Sequence, residues 1–513
     1  MDDQLNKKNK LVGKALVMFV VMIISKILGF SRDILLTYKF GTSEIIDAYT
    51  VAITLPSVLF AVFVSGLSHT YLPYYTRCET NKKKQELFSN TIIIFSLLSM
   101  LVAFGCFFLR DWIASALAPG FDADRHDICV SFIGIVIWMF PFFVVFTLMS
   151  AQLQTKEDFN AANICDFLIV NIVIIISILL ASPEKPYILI FGYVFSMILA
   201  CIALGIYFIK HSGVRIIPNK DNALNDFIEL IIISIPVGLS YMVNQINSVT
   251  DSVFSSTFST GVTSGLNYAN KLQSFFLSLT ISVFMTIVFP RLNVFFAEKR
   301  FKDGLYYIKK GIAISSILSI PFAVFTGVFA RDIVISLFQR GAFNANSTTI
   351  TAGCLALYSI GIPFYAYVEI GSHTLTALLR QKMILKNTSI AVFFNIISDL
   401  VLMEILGYVG LSLATSFSGV LLFVLYFRDI RKIGLECFNR EVVIEIGKIV
   451  MAALVALFPT FLYRSLSQST LGILLNTGIS ALVFGTFYLI ACMVMKVSVL
   501  NWFVDVIGIK NRK

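Results

Sequence analysis

Apolar runs of bilayer-crossing length follow one another along the chain from near its start to residue 496. A span needs about 20 apolar residues to cross a hydrocarbon core about 30 Å thick. Only helices or closed barrels satisfy every backbone polar group there. Runs of this length are far longer than barrel strands, so the expected fold is an all-α polytopic membrane protein. Charged residues make up 14% of the chain, against about 25% in soluble domains. The basic start, MDDQLNKKNKLVGK, precedes a long apolar segment without a small-residue cleavage site, so it reads as a retained first span and not a signal peptide.

The pattern predicts about fourteen transmembrane helices, near 13–38, 46–74, 88–109, 128–152, 160–182, 187–209, 226–257, 264–296, 305–329, 349–377, 383–406, 410–427, 442–466 and 471–496. An even count puts both termini on one side. With that side inside, thirty of the 40 Lys and Arg residues fall on inner segments, seven on outer loops and three within spans. This asymmetry is the positive-inside signature. It predicts cytoplasmic termini, and it explains the net charge of +10 by anionic membrane lipid and not by nucleic acid.

The first twelve spans read as two parallel six-helix repeats. Leu72-Pro73 answers Phe289-Pro290, Phe140-Pro141-Phe142 answers Ile362-Pro363-Phe364, and Val170-Asn171-Ile172 answers Phe394-Asn395-Ile396, all at nearly one offset. Six spans is an even number, so the copies share an orientation, as in transporters that place substrate between two halves. The expected organisation is an N-lobe over 1–220, a C-lobe over 221–436, and two added helices with an inner tail over 437–513.

Few ionisable side chains enter the spans. The first half has Lys26, Arg32, Asp33, Asp47 and Asp166, and the second has Asp251, Lys271, Glu369, His373 and Asp399. A charge at bilayer depth costs roughly 2.5–3.5 kcal/mol on insertion scales, so it persists where it meets a partner, water or substrate. Lys26, Arg32 and Lys271 suit a phosphate or pyrophosphate, the arginine through its bidentate fork. Two other readings stay open: Arg32 pairing with Asp33 or Asp47 to hold helix ends, and lysines snorkelling to the interface. Asp251, Glu369 and Asp399 read as interhelical hydrogen-bond partners or as a Na⁺ or H⁺ site.

No P-loop, HExxH or nucleophile elbow is present, and no loop is long enough for an active site. The chain reads as a non-enzyme without a cofactor, driven by membrane potential, an ion gradient or the substrate gradient. The eight cysteines are scattered and form no CxxC or Cys/His cluster, so no metal site or disulfide framework is expected.

Several motifs resemble one family: Ser25–Asp33, Phe40-Gly41 followed by Asp47-Ala48, Pro119-Gly120-Phe121, Asn247 through Asp251, Asn267-Tyr268-Ala269, Arg340-Gly341-Ala342-Phe343 and Gly410 through Ser416. Over almost its whole length the chain resembles the MurJ (MviN) lipid II flippases of bacteria, in the multidrug/oligosaccharidyl-lipid/polysaccharide exporter superfamily. The resemblance implies two six-helix lobes around a cationic cavity, with the last two helices lining a groove for a polyprenyl tail. It implies a plasma-membrane flippase that moves undecaprenyl-pyrophosphate-linked peptidoglycan precursor outward by alternating access, with cell-wall synthases as possible partners.

On that resemblance Arg32 matches a cavity arginine, Asp47 a functional acid acting with Asp33 in gating or ion pairing, and Ser264 a polar residue at the mouth of span eight. Lys26 and Lys271 stand where the family has arginine. Where the family has P-N-x-x-R-R, this chain reads Pro56-Ser57-Val58-Leu59-Phe60-Ala61, without a cation. That departure keeps a second substrate open, another polyprenyl-linked oligosaccharide for capsule or exopolysaccharide. A small-molecule exporter and a non-transporting cell-wall scaffold are the remaining alternatives.

Overall fold

A computed structural model describes residues 21, 24–61, 70–71, 74–76, 78, 80–156, 158, 160–214, 217, 220–467 and 472–500. The start of span one, His69, Leu72-Pro73 and the tail after residue 500 lie outside the described residues. Within them every regular element is a helix. In chain order these are α1 (24–40), α2 (Glu44–Leu59), α3 (Asn81–Phe108), α4 (Arg110–Leu117), α5 (Ala123–Val136), α6 (Met139–Gln154) and α7 (Asn160–Ile164, a π-helical Cys165–Val170, then Asn171–Leu180). Next come α8 (Tyr187–His211), α9 (Lys220–Ser256), α10 (Val262–Ile287), α11 (Phe289–Ala297), α12 (Phe301–Val328) and α13 (Ala330–Phe338). The chain finishes with α14 (Ala345–Ala377), α15 (Gln381–Leu406), α16 (Val409–Lys432), α17 (Arg440–Leu466) and α18 (Ile473–Val494).

Ten helical stretches among the described residues are long and apolar enough to cross a bilayer. The four expected spans outside this set, 13–38, 46–74, 226–257 and 264–296, carry six of the ten intramembrane ionisable residues, and the first two are described only in part.

The helices start where side chains can replace missing backbone partners. Thr80, Asp122, Asn344 and Asn439 each accept the backbone N–H three residues on, the usual N-cap contact. Inside the spans, serines and threonines donate to carbonyls three or four residues back, as Ser316 does to Ile312 and Thr460 to Ala456. Small polar residues such as Ser315, Ser319, Thr351 and Ser412 are buried between helices, letting backbones approach closely.

The chain divides into two compact units. One holds residues 1–263 with 341–343, and the other holds 264–340 with 344–513. The division falls at 263 and not at 220, because α9 packs on the first unit's helices. Thr70 shares a hydrogen bond with Ser234 at 2.6 Å, and Tyr74 donates to Glu229 at 2.7 Å. The added helices α17 and α18 join the second unit, with α17 against α12 and α18 against α17.

Pro321 shows how α18 is fastened. A proline inside a helix cannot donate to the carbonyl four residues back, here that of Ile317. Tyr488 of α18 supplies the missing proton from its hydroxyl at 2.9 Å while itself buried. Tyr488→Phe leaves that carbonyl without this donor at membrane depth, so it should cost about 1–3 kcal/mol. Thermal unfolding of the purified variant in detergent, compared with the parent chain, measures it.

Candidate functional site

Three motif glycines and one buried acid build the end of the first unit that carries the α1–α2 turn. Gly41 and Gly341 both have positive φ, 59° and 61°. Ala342 N–H donates to the carbonyl of Tyr38 at 2.8 Å. A Cβ on Gly41 would overlap the Ala342 carbonyl, and one on Gly341 would overlap the Tyr38 carbonyl. The Phe40-Gly41 and Arg340-Gly341-Ala342-Phe343 motifs are therefore two sides of one backbone contact. Gly120 lies against the backbone of Ser256 and Thr257, and its N–H donates to Ser256 Oγ at 3.1 Å.

Asp47 sits one turn into α2 and is fully buried. Its Oδ2 accepts the N–H of Gly261 at 2.7 Å and lies 3.8 Å from Nη1 of Arg125. Gly261 has φ 94°, and an added Cβ there would press on Thr42. Arg125 is only 4% exposed. Its Nε donates to Asp122 Oδ2 at 3.1 Å, Nη1 reaches the Phe258 carbonyl at 3.4 Å, and the guanidinium lies 4.8 Å from the Phe121 ring centre. One cation thus ties α2, the start of α5 and the loop ahead of α10. By sequence Arg125 was counted only as one of the seven outer-loop Lys and Arg residues. The cation it faces across to Asp47 comes from the segment just after Pro119-Gly120-Phe121, and a D-x-x-R step at a helix start was the available signal.

Deeper in α1, Ser25, Gly29 and Arg32 share a helical face toward α7. Asn171 begins the last α-helical stretch of α7, directly after the π-helical turn. Its Nδ2 donates to the Phe167 carbonyl at 2.6 Å and reaches Ser25 Oγ at 3.5 Å. Its Oδ1 accepts from Arg32 Nη1 at 3.5 Å and lies 3.8 Å from where a Gly29 Cβ would be. Asp33 Oδ1 is 3.6 Å from Arg32 Nε. Tyr49 and Tyr193, which meet edge to face at 6.3 Å, and Asp33 are the electrostatic neighbours of Arg32. Arg32 is therefore half-buried and held by a carboxylate and a neutral amide. A π-helical turn of this kind often marks a functional segment. Lys26 is also half-buried in α1. Asn171 was visible in the sequence only as a repeat marker.

Phe60, at the position of the family's missing cation, packs edge to face on Phe143 at 4.5 Å. Asp166 lies in the π-helical turn of α7. Asp251 lies in α9, where its Oδ1 is buried and accepts no hydrogen bond among the described residues.

In the second unit, Ser264 is fully buried near the start of α10, and Lys271 lies two turns on with its Nζ 5.7 Å from the Tyr268 ring centre. Glu369 and His373 pair one turn apart on α14 at 3.6 Å. Asp399 and Asn395, one turn apart on α15, are both fully buried. Among the described residues no three His, Cys, Asp or Glu side chains converge on a metal site. An apolar groove of about 410 Å³ runs between α12 and α18, lined by Pro321, Phe322, Phe325, Phe484 and Tyr488 among others.

Compared with known proteins, residues 36–480 match the sequence model of the family described as lipid II flippase MurJ. The chain belongs to the MurJ family. A probable lipid II flippase MurJ of Buchnera aphidicola subsp. Acyrthosiphon pisum is 26% identical over 506 residues, covering 94% of this chain and 97% of that protein. One from Helicobacter pylori strain ATCC 700392 / 26695 is 26% identical over 431 residues, covering 78% and 89%. The MurJ fold is shared with a solved lipid II flippase MurJ in an inward closed conformation, with TM-score 0.82, 22% identity, and coverage of 94% of this chain and all of that one. An inward-facing multidrug resistance MATE transporter of the MOP superfamily shares it with TM-score 0.68, at 12% identity over 82% of this chain and 99% of its own.

Proposed function

We propose that this MurJ-family member is a lipid II flippase of the bacterial inner membrane. It moves the undecaprenyl-pyrophosphate-linked precursor from the inner to the outer leaflet by alternating access. One observation carries the reading: a chain matching the lipid II flippase family over 36–480 keeps a half-buried arginine in its first span. Arg32 needs a reason to be at bilayer depth, and a pyrophosphate supplies one. Asp33 offsets part of its charge, while Asn171 orients it without neutralising it.

Arg32 and Lys26 are the proposed pyrophosphate contacts of the first unit, and Lys271 and Ser264 are the candidates of the second. The groove between α12 and α18 is apolar along its length, which suits a polyprenyl chain. Asp47 and Arg125 act as a latch at one end of the first unit. Asp251 and Asp399 are the acids proposed to take up Na⁺ or H⁺ if an ion gradient drives the cycle, and membrane potential is the other source. The termini are proposed to be cytoplasmic, with cell-wall synthases as partners. No catalytic step enters the scheme.

The test is rescue of a bacterium depleted of its own lipid II flippase, scoring lipid II accessible at the outer leaflet. Rescue by the wild-type chain supports the assignment. Failure of a well-expressed chain with normal stability moves it to another polyprenyl-linked glycan, with the Phe60–Phe143 contact as the first position to restore to a cation.

A further inference from the structure

Two polar side chains in the first half of α7 have no part in the latch or in the Arg32 contacts. Asn163 stands almost one turn into the helix, Asp166 lies in the π-helical turn Cys165–Val170, and Asn171 follows that turn. All three are half-buried. Asn171 is engaged with Ser25, Phe167 and Arg32. Asn163 and Asp166 make no hydrogen bond or ion pair among the described residues. At 1.5 Å per residue Asp166 is about 9 Å from the start of α7. A carboxylate at that depth without a partner persists where it meets water or a substrate.

The three share one side of the helix. Residues three apart in an α-helix lie about 60° apart, and residues five apart about 140° apart. The i→i+5 bonding of the π turn winds more loosely, so it swings Asn171 back toward the side of Asp166. The lipid side is elsewhere. Ile164 and Ile172 are exposed, and Ile164 lies about 160° around the helix from Asp166. Asp166 therefore takes its partial exposure away from lipid. Tyr193 of α8 links it to the cation, because that phenol is an electrostatic neighbour of both Asp166 and Arg32.

We propose that Asn163 and Asp166 form a sugar subsite, which binds hydroxyls of the saccharide joined to the pyrophosphate at Arg32. The subsite deepens the proposed function and rests on it for the pyrophosphate. Like charge keeps a phosphate off Asp166. An uncharged, hydroxyl-rich group is attracted instead, because a carboxylate accepts its O–H groups while an asparagine amide both donates and accepts. A sugar one link from Arg32 must also stay out of lipid, and this polar side extends about 12 Å along α7 from Asn171 to Asn163. A prenyl chain offers no donors to it. A metal ion needs more ligands than these two side chains give, and among the described residues no three His, Cys, Asp or Glu side chains converge.

The experiment measures lipid binding to the full chain in nanodiscs by native mass spectrometry. The probes are undecaprenyl pyrophosphate, the same lipid carrying the peptidoglycan disaccharide-peptide, and the same lipid carrying an unrelated neutral sugar. The parent should bind the peptidoglycan precursor about tenfold more tightly than the bare lipid. Asp166→Ala should cut that preference roughly tenfold and Asn163→Ala roughly threefold, because hydrogen bonds to a charged group are the stronger. Asp166→Asn, which keeps one acceptor, should fall between Asp166→Ala and the parent. Affinity for the bare lipid and the unfolding temperature should hold, since truncation breaks no hydrogen bond among the described residues. Arg32→Ala should weaken all three lipids together. A parent without preference for either sugar overturns the proposal, as does a preference intact in the Asn163→Ala/Asp166→Ala double variant. Equal weakening of bare and glycosylated lipid in that variant marks a structural role and overturns it too. An Asp166-dependent preference for the unrelated sugar alone upholds the subsite and overturns lipid II as the substrate. Rescue by the parent, with the double variant's preference intact, upholds lipid II transport without the subsite.

Discussion

Arg125→Ala should destabilise the protein by about 3–5 kcal/mol, the usual cost of removing one partner of a buried ion pair. Asp47 is completely buried, and the Gly261 N–H that it accepts brings no positive charge to replace the guanidinium. The same substitution removes the contacts of Arg125 to Asp122 and the Phe258 carbonyl. Arg125→Lys keeps the charge but has no planar fork to reach Asp47, Asp122 and Phe258 together, so it should fall between. Asp47→Asn should be milder than Arg125→Ala, because an amide oxygen still accepts from Gly261 and Arg125 still pairs with Asp122. The double variant should lose less than the sum of the two single losses. Thermal unfolding in detergent across this cycle measures the coupling, and additive losses would show that the pair is not a unit. The same variants in the rescue assay ask whether the latch matters beyond stability.

Arg32→Ala should abolish rescue while leaving abundance and unfolding temperature close to those of the parent. Charge-assisted hydrogen bonds contribute about 1.5–3 kcal/mol each, so losing a fork on pyrophosphate removes far more than a tenfold margin. Arg32→Lys should retain partial activity, because it keeps the sign and loses the geometry. Asn171→Asp gives the sharper comparison. It leaves Arg32 in place but sets a second carboxylate beside it, so transport should fall although the cation is still present. Asn171→Ala should weaken positioning more modestly. If Arg32→Ala transports normally, the cationic-site reading is wrong. If Arg32→Ala is inactive and Asn171→Asp is normal, the guanidinium acts without help from α7.

Much of this was legible in one dimension. The all-α membrane fold, the outline of the spans and the cations at depth follow from hydropathy and charge, because the bilayer imposes the same requirement on every span. The motif glycines were legible as motifs but not as contacts. Gly41 and Gly341 lie 300 residues apart, and only folding shows that the Ala342 carbonyl occupies the space of a Cβ on Gly41 and the Tyr38 carbonyl that of one on Gly341. Arg125 was legible only as one of the outer-loop cations, because nothing in one dimension shows Asp47, Asp122 and Phe258 around it.

Sequence by itself determined that this chain must be a bundle of membrane helices and which few residues carry charge into the bilayer. Tertiary structure decided which partner each charge meets: Arg125 for Asp47, and Asp33 with Asn171 for Arg32. It also decided that α9 groups with the first unit and that Tyr488 serves the carbonyl exposed by Pro321. The physical reason is range. Partition into lipid is a local property summed over about 20 consecutive residues, whereas an ion pair or an orphaned carbonyl is satisfied by whichever side chain packing brings within about 4 Å, regardless of its distance along the chain.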